Sequence, residues 1–393
     1  MMNVTYRIDK DILYIAVEGR VDAANAAEAE SRIFEIKNAN PDKHVVVDAD
    51  ALEYISSAGL RVILKLRKEA PKLAIINVSP EVYEVFDMTG FTEMVTVEKA
   101  FRRLSVEGCE FIAKGANGAV YRYDAETILK TYFAKDALPE IRQERENARK
   151  AFVMGVNTAI PYGIVRVGES YGTVTELLSA ETVTQLVRKD QENLELPVKY
   201  YIDMLKSIHA IEATPGEVPD MKQTALGWAN FTAAHLSEEQ GKKLCALVEA
   251  VPQRNTLLHG DYHTNNVMIQ NGEPLLIDMD TLCMGHPVFE LGSMFNAFLG
   301  YSELDHETTM KFFGYTHETA EKLWNMSLKK YLGTEDEAVC QSVAEKAMVI
   351  GYTRMLRRAV RRPEEEDSPA KIARCKERLA ELLAKVETLD FEY

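Results

Sequence analysis

The chain has 393 residues, of which 46% are hydrophobic and 27% are charged, so it is long enough for two or three globular domains. Its formal net charge of −15 argues against a nucleic-acid-binding protein, which needs a basic surface for its phosphate contacts. Neither a secretory leader pattern nor an apolar run of roughly 18 residues is present, so we expect a cytoplasmic protein that does not bind membranes. The five cysteines form no CxxC pair, and neither a zinc site nor a disulfide framework is expected.

The first hundred residues alternate between strand-like and helix-like patterns. Strand-like runs at TYRIDKDILYIAVEGRV and HVVVDADALEYI alternate with helical runs at AANAAEAESRIFEIKN and RVILKLRKEA. This order predicts a small α/β domain in which helices pack on a sheet. The pattern restarts after Ala100, so we place a domain boundary before Glu110, with a first domain at 1–105 and a second at 106–393.

A serine-rich turn, ISSAGL, connects the second of these strand-like runs to the helix that follows it. Serine is a favoured helix N-cap, so capping alone is one explanation of Ser56 and Ser57. The alternative is that Ser57 is phosphorylated, which would place the phosphate at the positive end of the helix dipole.

This stretch, together with EVFDMTGFTEMVTV, resembles the STAS domain of anti-sigma-factor antagonists over roughly residues 3–103. In that family an Asp-Ser-Ser/Thr-Gly-Leu segment carries the phosphorylated serine. Ser57 matches the phosphoacceptor, whereas Ser56 stands where the family has aspartate. The resemblance implies an interaction or regulatory module that docks a protein partner, with Ser57 as the candidate phosphoacceptor.

The second domain begins with a β-rich region and continues with mostly helical sequence. FIAKGANGAVYRYDAETILKTYF reads as hairpins, a helical pattern follows from Pro139 to Met154, and IPYGIVRV and YGTVTELL read as strands. This order predicts an α+β, bilobal, protein-kinase-like domain. Its β-rich lobe would lie at about 106–178 and its α-rich lobe at about 179–393.

Two features of the β-rich lobe are typical of an ATP site. The segment AKGANGAV matches a kinase glycine loop at Gly115, Gly118 and Val120, although Ala113 replaces the first glycine. Glycines there let the backbone approach phosphates, but a tight hairpin would also explain them. Ten residues further on, Lys130 could bind the phosphates, unless it is an ordinary solvated lysine.

A carboxylate on the following helix would orient Lys130. Glu144 lies beside the apolar face of RQERENARKAF, whereas Glu146 points away from it, so we favour Glu144. The alternative is that both are surface carboxylates.

The stretch LLHGDYHTNNVMIQNGEPLLIDMD carries the strongest signal of the chain. Its spacing matches a kinase catalytic loop, in which Asp261 would accept the proton of the acceptor hydroxyl and Asn266 would bind Mg²⁺. The strand PLLID would carry a second metal ligand, Asp278. We assign Asp280 to a turn and expect backbone groups to form the hydrogen bonds of the His263 ring. The alternative to a catalytic loop is that these polar residues serve separately as helix caps and turn residues.

A zinc hydrolase is a different interpretation of the same stretch. His259, Asp261 and His263 alternate at two-residue spacing, so an extended strand would direct all three to one side. That interpretation leaves the glycine hairpin and Lys130 without a role.

The chain from roughly Cys109 onward resembles the aminoglycoside phosphotransferase and choline-kinase-like group of protein-kinase-like enzymes. The motifs HGDYHTNNVMI, LLIDMD and GHPVFELG carry this resemblance, and His-Gly-Asp in place of His-Arg-Asp points to small-molecule kinases. The resemblance implies ATP, Mg²⁺ and a hydroxyl acceptor, with Glu176 to Leu178 as the hinge that receives the adenine.

The helix GYTRMLRRAVRRP brings Arg354, Arg358 and Arg361 to one face. These arginines could bind an anionic substrate or the other domain, or they could form a solvated face.

Together these features predict an ATP- and Mg²⁺-dependent phosphotransferase that acts on a small-molecule hydroxyl and carries a STAS module. The alternative is a partner-switching signalling protein whose kinase-like half is a nucleotide-binding regulator or phosphorylates Ser57.

Overall fold

The computed structural model describes residues 2–115, 117–135, 137–365 and 367–392. The chain divides into two compact units, Met1–Leu104 and Ser105–Tyr393. Each unit has its own core of buried apolar side chains. Within the described residues, no helix combines the length and apolar character needed to cross a membrane.

The first unit is an α/β domain built on a largely parallel sheet. Its strands are β1 (Asn3–Asp9), β2 (Ile12–Val21), β3 (His44–Asp48), β4 (Leu52–Ile55), β5 (Ala74–Val78), β6 (Thr96–Lys99) and β7 (Arg103–Leu104). Its helices are α1 (Ala26–Asn38), α2 (Ser57–Glu69), α3 (Pro80–Met88) and α4 (Phe91–Met94). The main sheet has the order β1-β2-β3-β5-β6, with β4 paired to β2, and only the β1–β2 pair is antiparallel among these pairings.

Helix α2 shows how the sequence pattern produces this layered packing. Its buried residues, Gly59, Leu60, Val62, Ile63 and Leu66, recur at helical spacing, so one face packs on the sheet. The Ser56 side chain accepts a hydrogen bond from the Gly59 N–H and caps the helix. Ser57 is the first helical residue and is exposed.

The second unit begins with an antiparallel sheet and continues into a helical region. Its strands are β8 (Glu110–Lys114), β9 (Gly118–Arg122), β10 (Thr127–Tyr132), β11 (Pro161–Val167), β12 (Ser170–Glu176), β13 (Glu181–Thr182), β14 (Leu257–Leu258), β15 (Val267–Gln270), β16 (Glu273–Leu276) and β17 (Cys283–Met284). Its helices are α5 (Leu138–Val153), α6 (Val183–Lys189), α7 (Glu195–His209), α8 (Met221–Ala233), α9 (Glu238–Glu249), α10 (Val288–Phe298), α11 (Glu307–Phe313), α12 (His317–Leu332), α13 (Glu337–Arg361) and α14 (Ser368–Leu383).

The main sheet of this unit runs in the order β11-β12-β10-β9-β8, and α5 lies between β10 and β11 in the chain. The helical region contains two small antiparallel sheets, β13-β15-β16 and β14-β17, and the densest polar motif lies in the loops that connect their strands. A β-rich region followed by an α-rich region confirms the predicted fold class of the second domain, and the first unit confirms the α/β prediction.

Candidate active site

The glycine-containing hairpin lies between β8 and β9. The Gly115 N–H donates a hydrogen bond to the Gly118 carbonyl over 2.9 Å and closes the turn, and Ala116 lies outside the described residues. At Gly118 an added Cβ would lie 2.0 Å from the Thr131 carbonyl oxygen, so close packing of β9 on β10 requires glycine there. Ala113 occupies β8, at the position where the kinase pattern has its first glycine.

Lys130 on β10 forms an ion pair with Glu144 on α5, with Nζ 2.5 Å from Oε1. The other carboxylate oxygen, Oε2, accepts a hydrogen bond from the Tyr132 hydroxyl over 2.6 Å. Burial lowers the pKa of Lys130, but the charge of Glu144 and the neighbouring Tyr132 outweigh it, and the net shift is upward. Glu146 is paired instead with Arg149 on the surface of the same helix. The pair therefore favours the charged form of the Lys130 ammonium.

The segment between β14 and β15 forms a loop whose backbone is held from several sides. His259 Nε2 donates to the Ile277 carbonyl over 3.0 Å, and its Nδ1 accepts from the Asp261 N–H over 3.3 Å, which assigns the ring proton to Nε2. Gly260 has φ +82°, and a Cβ there would lie 2.4 Å from the Thr281 carbonyl. The loop therefore requires glycine and carries Asp261 with its side chain 47% exposed.

Glu290 at the start of α10 binds the backbone of this loop from inside the protein. Its two carboxylate oxygens accept the N–H groups of His259 and Gly260 over 2.5 and 3.0 Å, and the residue is fully buried. Burial raises the pKa of Glu290, but His209, whose Nε2 lies 3.9 Å from Oε2, and the His259 N–H outweigh it and lower the pKa. A charged carboxylate thus fixes the loop conformation that presents Asp261.

Asn266 and Asp278 are the two candidate ligands for a divalent cation near Asp261, and the Ile277 N–H donates to the Asn266 carbonyl over 3.0 Å, which brings their two segments together. Asn266 Nδ2 donates to the Asp261 carbonyl over 3.0 Å, so the amide is oriented with its oxygen available as a metal ligand. Asp278, two residues after the end of β16, has a left-handed backbone with φ 65°. Burial, together with the charges of Glu144 and Asp278, raises the pKa of Asp280 to about 7. A bound cation would relieve this crowding of carboxylates.

The details of this segment differ from the sequence-based expectation in one respect. The strand β16 ends at Leu276, two residues before Asp278, and Met279–Thr281 forms a 3-10 helix. The left-handed conformation of Asp278 breaks the strand and turns the chain. Asp280 lies in this 3-10 helix, and its backbone carbonyl accepts a hydrogen bond from Asn147 of α5 over 3.1 Å.

His263 and Arg354 lie on either side of Asp261. His263 Nε2 is 3.7 Å from Asp261 Oδ2, and Arg354 Nη2 is 3.8 Å from Asp261 Oδ1. Arg354 Nη1 also donates to the Gly260 carbonyl and to Ser293 Oγ, each over 3.1 Å. The expected backbone hydrogen bond of His263 is not formed, because its buried Nδ1 has no hydrogen-bond partner among the described residues.

The zinc-hydrolase interpretation fails on the same geometry. Both ring nitrogens of His259 are engaged by backbone groups, and the segment from His259 to His263 is a loop instead of an extended strand. Across residues 2–115, 117–135, 137–365 and 367–392, no three His, Cys, Asp or Glu side chains are grouped to hold a metal. A Mg²⁺ site of one or two protein ligands completed by phosphate oxygens does not require such a group.

A cavity of about 490 Å³ opens beside Asp261. Its walls come from the loop that carries Asp261, from α10, α11 and α13, and from the start of α14. Ser293, Phe312 and Arg354 are among the lining residues. Such a volume suits a small organic molecule.

The predicted hinge lies at the end of β12. Glu176 closes the strand, its N–H donating to the Ile160 carbonyl over 3.1 Å, and Leu178 is half-buried in the extended segment that follows. Its contact with adenine remains a prediction.

Three contacts of the candidate site were not found from the sequence: those of Tyr132 with Glu144, of His209 with Glu290, and of Glu290 with the loop backbone. An acidic residue inside the apolar helix VFELGSMFNAF is the signal that could have identified Glu290, since a buried carboxylate needs partners. Tyr132 and His209 carry no comparable signal.

Comparison with known proteins assigns both parts of the chain. The family model for the phosphotransferase enzyme family matches residues 108–323, and the STAS domain model matches residues 3–104. A protein named as an anti-sigma factor antagonist, BtrV of Bordetella bronchiseptica, is 36% identical over 90 residues, which is 22% of this chain and 77% of that protein.

The solved structures that are similar to the chain include two kinases of small molecules by their names. A thermostable mutant of the aminoglycoside phosphotransferase APH(4)-Ia has 14% sequence identity and a TM-score of 0.49, covering 72% of this chain and 98% of its own. A choline/ethanolamine kinase family protein from Mesorhizobium loti has 14% identity and a TM-score of 0.47, covering 71% of this chain and 92% of its own. With its larger part matched by the family model, the chain belongs to the phosphotransferase enzyme family, and it carries an N-terminal STAS domain.

Proposed function

We propose that the protein is an ATP- and Mg²⁺-dependent kinase that transfers the γ-phosphoryl group to a hydroxyl of a small molecule. We assign residues 106–393 to the kinase and residues 1–105 to the STAS module. One observation carries the proposal: Asn147, one turn after Glu144 on α5, donates to the Asp280 carbonyl over 3.1 Å, which brings the Lys130–Glu144 pair into electrostatic range of Asp280 and hence near the segment that follows the loop of Asp261. One unit thus combines a cation for phosphates, carboxylates for a metal and an exposed base.

In the proposed reaction the acceptor hydroxyl oxygen attacks the γ-phosphorus of ATP. Asp261 takes the hydroxyl proton, the bond between the γ-phosphorus and the bridging oxygen breaks, and ADP leaves. Lys130, oriented by Glu144, binds phosphate oxygens, and the Gly115–Gly118 turn lies over the phosphates. Mg²⁺, held by Asn266 and Asp278, would neutralise charge on the phosphates when bound. The segment from Glu176 to Leu178 receives the adenine.

Replacing Asp261 by Asn tests this assignment. The substitution removes the proton acceptor but keeps the size and the backbone hydrogen bonds of the loop, so MgATP should still bind. We expect ADP release in the presence of an acceptor to fall by about 10²- to 10⁴-fold. Asp203→Asn is the control, because Asp203 is a surface partner of Lys199 on α7. Full activity of the Asp261 variant would refute the role, and failure of the wild-type protein to bind MgATP would refute the function.

A second function is favoured by the exposed Ser57 at the N-terminus of α2, in a STAS domain. In this alternative the first unit is a partner-switching module whose state depends on phosphorylation of Ser57, with the kinase unit as the donor enzyme or as a nucleotide-binding regulator. Intact-mass measurement after incubation with MgATP tests the donor role. An added 80 Da that disappears in Ser57→Ala supports it, and an unchanged mass contradicts it.

A further inference from the structure

The cavity beside Asp261 contains buried polar groups that the protein itself leaves without partners. His263 Nδ1, Asn296 Oδ1 and Thr309 Oγ1 have no hydrogen-bond partner among the described residues, and all three residues are buried and line this cavity. A buried polar atom without a partner costs free energy, and these three atoms are shielded from solvent in this conformation. The lining residues also include Ser293, Tyr301 and Thr308, whose hydroxyl groups can donate and accept, which suits a hydroxylated ligand.

The carboxylates around this cavity, other than Asp261, are already paired with cations. Asp305 pairs with Lys311 over 3.2 Å, and Asp367 pairs with Lys371 over 2.7 Å. Glu365 pairs with Arg362 over 3.2 Å. These ion pairs remove three negative charges from the cavity wall, so the wall is poorly suited to recognise a cationic acceptor.

The lysine and arginine side chains that line the cavity differ in their partners. Lys371 forms the ion pair with Asp367, and Arg354 donates hydrogen bonds to the Gly260 carbonyl and to Ser293 Oγ. Arg358 lies one turn further along α13 with its guanidinium 5.8 Å from the ring centroid of Tyr301. Within the described part of the chain, Arg358 forms no ion pair with a carboxylate. Arg358 is exposed and lines the cavity, so among the described residues it is the lining arginine or lysine that neither a carboxylate nor a backbone carbonyl holds.

On this basis we propose that the acceptor is a small hydroxylated molecule with an oxyanion group, a carboxylate or a phosphate, and that Arg358 selects it. This inference rests on the proposed kinase function and adds the substrate class. The planar guanidinium offers two parallel N–H donors to either oxyanion, and it lies within cation–π distance of the Tyr301 ring. The reaction is unchanged: a hydroxyl of the anionic acceptor gains the γ-phosphoryl group, its proton passes to Asp261, and ADP leaves.

The test compares acceptors that differ mainly in charge. One set contains galacturonate, galactose and galactosamine; the other contains glycerate, glycerol 3-phosphate, glycerol and serinol. Binding of each to the full-length protein is measured by calorimetry with and without MgADP, and phosphorylation is followed by ADP release with MgATP. We expect an anionic member of at least one set to bind at least about tenfold more tightly than its neutral and cationic counterparts. The second set distinguishes a carboxylate from a phosphate.

Arg358→Gln should remove this preference, whereas Arg361→Gln should retain it, because Arg361 ends the same helix without lining the cavity. Unchanged MgATP affinity in both variants shows that the kinase unit is folded. Tighter binding of the amino compounds, retention of the preference in Arg358→Gln, or binding of no anion by the wild-type protein would each overturn the inference. If MgATP does not bind but anions bind through Arg358, the kinase function fails and the anion site stands.

Discussion

The pair between Lys130 and Glu144 makes a prediction that needs no knowledge of the acceptor. Glu144→Gln keeps the shape of the side chain and an oxygen that can accept from Lys130, but it removes the charge. The Nζ–Oε1 distance of 2.5 Å and the partial burial of both side chains identify a charge-assisted hydrogen bond. Such a bond contributes about 1.5–3 kcal/mol, which corresponds to roughly a 10- to 100-fold change in an equilibrium constant.

We therefore expect Glu144→Gln to weaken MgATP binding by about 10- to 100-fold, because Lys130 is no longer held where it meets the phosphates. Adenosine, which has no phosphates, is the internal control, and its affinity should stay the same. The matched variant is Glu146→Gln, two residues away on the same helix, where the side chain pairs only with Arg149 at the surface. Calorimetric titration of both ligands into the three proteins gives the comparison. Equal losses in the two variants, or an equal loss for adenosine and MgATP, would refute the reasoning.

Two further predictions concern the stability of the second unit. Glu290→Gln replaces one acceptor oxygen by an amide that cannot accept the N–H of His259 or Gly260, and we expect a loss of about 1–3 kcal/mol in urea unfolding. The pKa of Glu290 is lowered in the folded protein, so its ionised form stabilises the fold at any pH above the ordinary carboxyl pKa. This stabilisation is lost as the pH falls through the lowered pKa. Unfolding of the Glu290→Gln variant should therefore lack this dependence on acid pH. An unchanged acid profile would contradict this account. Gly118→Ala places a Cβ against the Thr131 carbonyl and should lower the free energy of unfolding by about 1–3 kcal/mol or more. In the control Gly115→Ala the new Cβ meets nothing closer than 4.0 Å, so the loss should be smaller. Equal losses in urea unfolding would show that the Thr131 contact is not responsible.

Local patterns in the sequence were sufficient for the fold class and for most candidate residues. Strand and helix periodicity predicted the α/β first unit and the β-then-α second unit, since which face of an element is buried depends on residues only a few positions apart. Motif spacing likewise predicted Lys130, Asp261, Asn266 and Asp278. A catalytic loop or strand of fixed length places such residues at fixed separations along the chain, so their spacing can be recognised without the tertiary structure. The preference for Glu144 over Glu146 also came from helical phase alone.

The contacts that make these residues a site were decided by the tertiary structure. Glu290 binds the loop of Asp261 from 30 positions away, and the Tyr132 hydroxyl shares the carboxylate of Glu144. Arg354 reaches the Gly260 carbonyl across 94 positions, and no local pattern separates it from Arg358 or Arg361 on the same helix. Hydrogen bonds and charge pairs between distant segments depend on how the helices pack, and packing is a property of the whole unit. The candidate residues were therefore predictable from short stretches of sequence, whereas the contacts that hold them and the cavity beside Asp261 depend on how the whole unit folds.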